Sequence, residues 1–277
     1  MKIPTIRVTI FAILFLVTTE AVCLPASLTA DTVWSGTVHV EGQLVVEKGA
    51  TLTINPGTKV LFKKAAPDEE GLAASGIIVK GTVVAAGLPG ARITFTSGEV
   101  KPASGDWGEV KVSESAGSSF ADCDFSYGGW GLHVHESDLK VLGCTFRDNS
   151  SGGIRGKAGN VEVTGCDIEG MDIGIRYWKG ALYVHHNTIS RNKTGIFLRQ
   201  ECGAAKIDHN NIYGNDDYDL KLGDGQKEDV DARYNWWGGV LITDIRGKIY
   251  DKSRETYIGR AMINPVLKEA VSINEVR

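Results

Sequence analysis

Proline is scarce in this chain, with 7 residues in 277, and methionine scarcer still at 3. Apart from one stretch near the N-terminus, no apolar run approaches the ~20 residues that a membrane-spanning helix needs. Basic charge is not in excess: 30 Lys and Arg face 34 Asp and Glu, for a net charge of −4. That balance excludes the basic footprint of a nucleic-acid-binding protein. What is abundant is glycine, at 34 residues. Many turns with few proline breaks point to a β-rich chain.

The N-terminus reads as a leader. Lys2 and Arg7 form a short basic region, and Val8 to Val17 are apolar apart from Thr9. The stretch suits the core of a secretory signal and is too short to span a membrane. Cleavage falls after Cys23 or after Ala30, and the residues leave both open. Glu20-Ala21-Val22 before Cys23 lack the pattern of a lipid-attachment site. Removing residues 1–30 leaves a net charge of −5, because only Lys2, Arg7 and Glu20 are lost. We therefore expect a secreted or periplasmic protein, with 31–245 as its main domain and 246–277 as a closing segment and tail.

Internal periodicity fixes the architecture. From residue 122 three landmarks recur. The first is Cys123-Asp-Phe125, Cys144-Thr-Phe146, Cys166-Asp-Ile168, Asn187-Thr-Ile189, Asn210-Asn-Ile212 and Asn235-Trp-Trp237, at spacings of 21, 22, 21, 23 and 25 residues. The second is Leu132-His-Val134, Ile154-Arg-Gly156, Ile175-Arg-Tyr177, Ile196-Phe-Leu198 and Leu220-Lys-Leu222. The third is Leu139-Lys-Val141, Val161-Glu-Val163, Leu182-Tyr-Val184, Ala205-Lys-Ile207 and Val230-Asp-Ala232. Each landmark alternates in–out–in, the period of a strand. Three short strands and three turns per ~22 residues cannot bury an inner face alone, so the units must stack. The expected fold is all-β, a right-handed parallel β-helix of about nine or ten coils with three short strands per coil.

The N-terminal half alternates in the same way at Val38-His-Val40, Leu44-Val-Val46, Leu52-Thr-Ile54, Val60-Leu-Phe62, Ile77-Ile-Val79, Ile93-Thr-Phe95 and Val110-Lys-Val112. Residues 63–76 are too polar for a coil and are predicted to form an insertion loop, as are 97–106 on a smaller scale. Residues 31–37 are expected to help cap the first coil. The run Leu52-Thr-Ile-Asn-Pro-Gly-Thr-Lys-Val-Leu-Phe62 resembles the opening coil of bacterial secreted right-handed β-helix repeat proteins. Gly81–Gly87 with Ile93-Thr-Phe-Thr-Ser97, Gly105-Asp-Trp-Gly108, Asn235-Trp-Trp-Gly238 and Asn264-Pro-Val-Leu267 extend that resemblance over most of residues 33–267. It implies a fold and an extracellular setting. The fold is shared with pectate lyases, polygalacturonases and adhesins, so it does not carry a function.

Several residues are candidates for chemistry. Cys123, Cys144 and Cys166 share one repeat position, which Asn187, Asn210 and Asn235 take over; the expectation is an interior ladder of free thiols followed by asparagines that bond turn backbone. His185 and His186, adjacent in a strand, should face opposite ways and make a poor metal pair. Asp216, Asp217 and Asp219 in one turn could offer paired carboxylates. The Gly-His-Gly of polygalacturonases is absent.

The outward row of the second strand stands out. It reads His133, His135, Arg155, Lys157, Arg176, Trp178, Phe197, Arg199 and Lys221, with no acidic member. On an acidic chain, such a basic and aromatic row points to binding of an acidic polysaccharide through His133, Arg155, Arg176, Trp178, Phe197, Arg199 and Lys221. The expected protein is a non-catalytic, monomeric carbohydrate-binding β-helix with no metal site and no cofactor, a calcium requirement staying open. Two alternatives are a polysaccharide lyase or glycoside hydrolase, with Arg176 or Arg199 aided by Asp148, Asp172 or Asp216, and a structural or protein-binding envelope module.

Overall fold

Alternating apolar residues force each short segment to choose one buried face, and no segment of two to six residues can satisfy that choice alone. The computed structural model, which describes residues 26–69 and 71–273, resolves this by winding the chain into a right-handed parallel β-solenoid with three sheets. Sheet A holds ten strands, from Ser27–Leu28 through Val110–Ser113, Trp130–His135, Gly152–Lys157, Ile173–Trp178, Thr194–Arg199 and Tyr218–Gly223 to Ile249–Tyr250. Sheet B also holds ten, from Thr32–Trp34 to Ala261–Met262, and sheet C eight, from Thr37–Val40 to Asn211–Tyr213. The chain visits A, B and C in turn, and every strand pairs in parallel with its equivalents in neighbouring coils. Among the described residues a single short helix, Ile242–Gly247, leads into the last coil.

All three landmarks fall on the expected sheets. The segment at 31–37 contributes the strand Thr32–Trp34 to sheet B, with Trp34 in the core. Pairing among the described residues runs from Ser27–Leu28, which bonds Val45–Val46, to Ile249–Tyr250 and Ala261–Met262, which continue sheets A and B into the closing segment. Most of the expected leader, including Cys23, lies outside the described residues, as do 274–277.

The interior is a set of columns. On sheet C, Phe95, Phe125 and Phe146 stack with centroids 4.7 and 4.9 Å apart and nearly parallel planes. On sheet A, Gly156 faces Tyr177 in the next coil; a Cβ at Gly156 would stand 2.4 Å from that ring, whose hydroxyl donates to the carbonyls of Ala158 and Gly159. The missing side chain in one coil is thus filled by an aromatic from the next.

The corner between sheets B and C explains the cysteine–asparagine column. One residue in left-handed conformation precedes each member: Asp122, Gly143, Gly165, His186, His209 and Tyr234, with φ between 46° and 65°. The next residue then points inward. Asn187 Nδ2 donates to Val163 O and His185 O, both at 2.8 Å, and Asn210 Nδ2 to Val184 O and Asp208 O. The thiols of Cys144 and Cys166 reach equivalent carbonyls, at 3.3–3.7 Å. Asparagine adds an acceptor, so Asn210 Oδ1 takes the backbone N–H of Asn187, and Asn235 Oδ1 that of Asn210. All four cysteines in the described residues are buried thiols, and none forms a disulfide there. Burial pushes the Cys202 thiol up to about 11.

A second ladder lines the corner between sheets C and A. Asn192 passes its N–H and amide to Asn215, which passes its own to Asp219 Oδ1 at 3.3 and 2.8 Å. Asp219 is thus buried and separated from Asp216 and Asp217, which stay exposed. Burial raises its pKa to about 6, against the opposing hydrogen bonds from Asn215 and the charge of Lys248.

Two outcomes follow for stability. Asn210→Ala strands the Asn187 N–H and two buried carbonyls and is expected to destabilise by about 2–4 kcal/mol in urea unfolding, with Asn210→Cys losing less because a thiol reaches the same carbonyls. A carboxyl whose pKa is raised on folding contributes stability below its unfolded pKa and loses it as pH rises through the folded value. Asp219→Asn, which keeps the acceptor, is therefore expected to stabilise the protein above pH 6 by on the order of 2 kcal/mol. Thermal melts should show that advantage shrinking between pH 6 and pH 4.

Candidate functional site

Parallel pairing in exact register turns equal repeat positions into straight lines. Along sheet A, Lys111 pairs with His133, His133 with Arg155, Arg155 with Arg176, Arg176 with Phe197, and Phe197 with Lys221. A second line runs beside it: His135, Lys157, Trp178 and Arg199. All seven candidate residues therefore lie on one outward face.

Rings and cations alternate along that face. Arg155 lies 5.8 Å from the centre of the Trp130 ring, and Arg176 lies 4.8 Å from Trp130 and 5.8 Å from Trp178. Arg199 sits 5.4 Å from Trp178 and 6.0 Å from Phe197; Lys221 sits 4.9 Å from Phe197 and 5.6 Å from Tyr250. Four cations and four rings thus form one continuous chain. Each contact is worth ~0.5–1 kcal/mol where exposed and more where water is excluded, enough to hold long side chains in extended order.

The outward rows contain no acid, but the structure brings two carboxylates to them. Glu109 accepts from Arg155 Nε at 2.8 Å and Nη2 at 2.9 Å, and meets His133 Nδ1 at 2.7 Å. Burial pushes Glu109 up, yet the hydrogen bonds from His133 and Arg155 outweigh it and hold the carboxyl below its usual range. Burial also holds His133 below its ordinary value, against the pull of Glu109. Asp224 pairs with Arg199 Nε at 2.6 Å.

Arg176 differs. It forms no ion pair among the described residues, and its buried Nε has no hydrogen-bond partner. Burial, then the charges of Arg155 and Arg199, lower its pKa from the usual arginine value. A half-buried guanidinium held between two indoles, with donors unspent, is poised to take an anion.

Sequence reading missed Trp130, Tyr250, Glu109 and Asp224. Glu109 lies just outside its in–out–in triplet, Asp224 sits in a turn, and Tyr250 belongs to a coil with no clear repeat. Trp130 reaches the face because Gly152, its partner in the next coil, leaves room: a Cβ there would stand 2.4 Å from the Trp130 ring.

The histidine pair corrects an expectation. His186 has φ of 55°, so strand alternation stops there, and the Nδ1 atoms of His185 and His186 face each other at 3.0 Å. His185 Nε2 also meets Glu162 at 3.2 Å, while the His186 ring stacks outward on His209 and that on Tyr234. No group of three or more metal-ligating side chains occurs among the described residues. A surface depression of about 720 Å³ lies on sheet B over Leu139, Val161, Leu182 and Tyr183. Its charged row is mixed, with Lys140, Glu162 and Lys206 in line. A long polymer needs a continuous face rather than a cavity, so the flat cationic sheet A is the better candidate.

No helix among the described residues is long and apolar enough to cross a membrane. No curated protein and no solved structure matches the chain. The family model described as right handed beta helix region matches residues 90–235. That span contains most of the cation–ring face and the cysteine–asparagine column, and it covers over half of the sequence: the chain belongs to the right-handed β-helix family.

Proposed function

We propose that this protein binds an acidic polysaccharide along sheet A without cleaving it, as a secreted or periplasmic monomer. The observation that carries the reading is Arg176, whose guanidinium lies between Trp130 and Trp178 with its Nε unbonded, while Arg155 and Arg199 on either side are held by Glu109 and Asp224. A uronate or sulfate ester would pair with the terminal nitrogens of this half-buried guanidinium, which no protein carboxylate among the described residues holds, and Trp178, unlike the buried Trp130, offers a flat apolar face to a sugar ring. The inter-coil spacing of ~4.8 Å is close to the rise of one sugar along an extended chain, so successive coils meet successive residues. Secretion rests on the N-terminal leader, and of the two cleavage positions only the one after Cys23 leaves the strand Ser27–Leu28 in the mature chain. The reading invokes no cofactor.

A lyase reading has one observation in its favour: the lowered pKa of Arg176 eases loss of its proton, as a base that abstracts a proton beside a uronate carboxyl would need. Product analysis separates the two, since elimination leaves unsaturated ends that absorb in the ultraviolet.

Purified protein screened against a panel of acidic and neutral polysaccharides is expected to retain acidic ones, more weakly as salt rises and equally with calcium or chelator. Arg176→Ala and Trp178→Ala are each expected to weaken retention about 10–100-fold, or roughly 1.4–2.7 kcal/mol, with unchanged melting temperature. Retention unaffected by Arg176→Ala would remove the basis for the reading.

A further inference from the structure

The cationic line has a beginning. The outward residues in register before Lys111 are Ile78 and Val45, both apolar. Beside this transition the described residues of the insertion, 63–69 and 71–76, fold down onto the sheet. Lys64 Nζ pairs with Asp106 Oδ1 at 3.0 Å, and Ala65 N–H donates to Asp106 O, so the two insertions brace each other. Asp106 is fixed in turn by Ser97 Oγ and the Ala103 N–H. Leu72 packs so closely on Gly129 that a Cβ there would stand 2.6 Å from Leu72 Cδ2. The braced loop encloses a cleft of about 170 Å³, lined from the loop by Asp68, Leu72 and Ser75 and from the sheet by Glu109, Lys111 and Arg155.

That volume is small beside the ~300–1,000 Å³ of drug-sized ligand sites, and suits one sugar ring. Two of its groups are unspent. Ser75 is 2% exposed and its Oγ has no hydrogen-bond partner. Lys111 takes part in none of the ion pairs found among the described residues. A buried hydroxyl without a partner carries a desolvation penalty that a ligand oxygen would remove. Of the carboxylates, Glu109 is engaged by His133 and Arg155, and Asp68 Oδ1 by the Leu72 N–H at 3.0 Å. Cations and acceptors therefore face the same small space. That mixture suits a hydroxylated acid better than a bare sulfate or phosphate: the ammonium takes the carboxylate, while the hydroxyl and carboxylates take ring hydroxyls.

We propose that this cleft holds the terminal acidic sugar of the polysaccharide, with Lys111 on its carboxylate and Ser75 Oγ on a ring oxygen, so that the protein recognises chain ends. The proposal rests on sheet A being the glycan face. It makes the insertion loop a stop at one end of an otherwise open track.

The test compares equal masses of long polygalacturonate and of its short oligomers as competitors for binding to immobilised polymer. End recognition makes oligomers the stronger competitors per unit mass, because they carry more ends. Ser75→Ala and Lys111→Ala should abolish that advantage, each weakening oligomer binding about tenfold, with Ser75→Ala, which lies off the cationic line, leaving polymer binding within a factor of two. Arg176→Ala should weaken both. Circular dichroism melts confirm that the variants fold. Equal competition per mass, or an oligomer advantage that survives Ser75→Ala and Lys111→Ala, overturns the cleft assignment while sheet A binding stands if Arg176→Ala still weakens both. Indifference of both ligands to Arg176→Ala, or no binding of either by the wild type, overturns the sheet A reading and this proposal with it.

Discussion

Everything in this molecule depends on the register of its parallel coils. Backbone pairing places each residue beside its equivalent one turn on, so a single repeat position becomes a column running along the axis. Inside, the columns are phenylalanines, aliphatic side chains, thiols and asparagines. Outside, they are rows of charge. The corner between sheets B and C keeps the register through its left-handed residue and the inward donor that follows, with two kinds of side chain, thiol and carboxamide, meeting the same pair of carbonyls.

The same constraint creates the cation–ring face. No single coil contains a site: Trp130 lies two coils away from Arg176, and Glu109 reaches Arg155 across His133. The face is assembled only when the coils stack, which ties its integrity to the ladders beneath it. The carboxylates of Glu109 and Asp224 neutralise the ends of the arginine cluster and leave its centre, Arg176, with capacity for an external anion.

Fold and face were legible in the sequence to different depths. The coils were readable because strand alternation and turn residues repeat at nearly constant spacing, and a row such as His133, Arg155, Arg176 follows from that spacing alone. Residues that join the face from outside the triplets and the position after them were not readable. Glu109, Trp130 and Asp224 act through side-chain reach, which periodicity does not encode. His186 shows the limit most clearly: the rule that neighbours face apart holds only while φ stays in the strand region, and one left-handed residue reverses it. The docking of the 63–76 insertion was equally hidden, since its composition marks it as a loop without saying where it lands.

The most direct test of the account is arginine footprinting. Protein would be modified with an arginine-selective dicarbonyl reagent, with and without a saturating acidic polysaccharide that it retains, and mapped by mass spectrometry. If sheet A is the binding face, modification of Arg176 and Arg199 slows several-fold, while Arg147, Arg191 and Arg233, exposed on other parts of the surface, react as before. Protection centred on Arg233 or Arg147, with Arg176 unaffected, would contradict it.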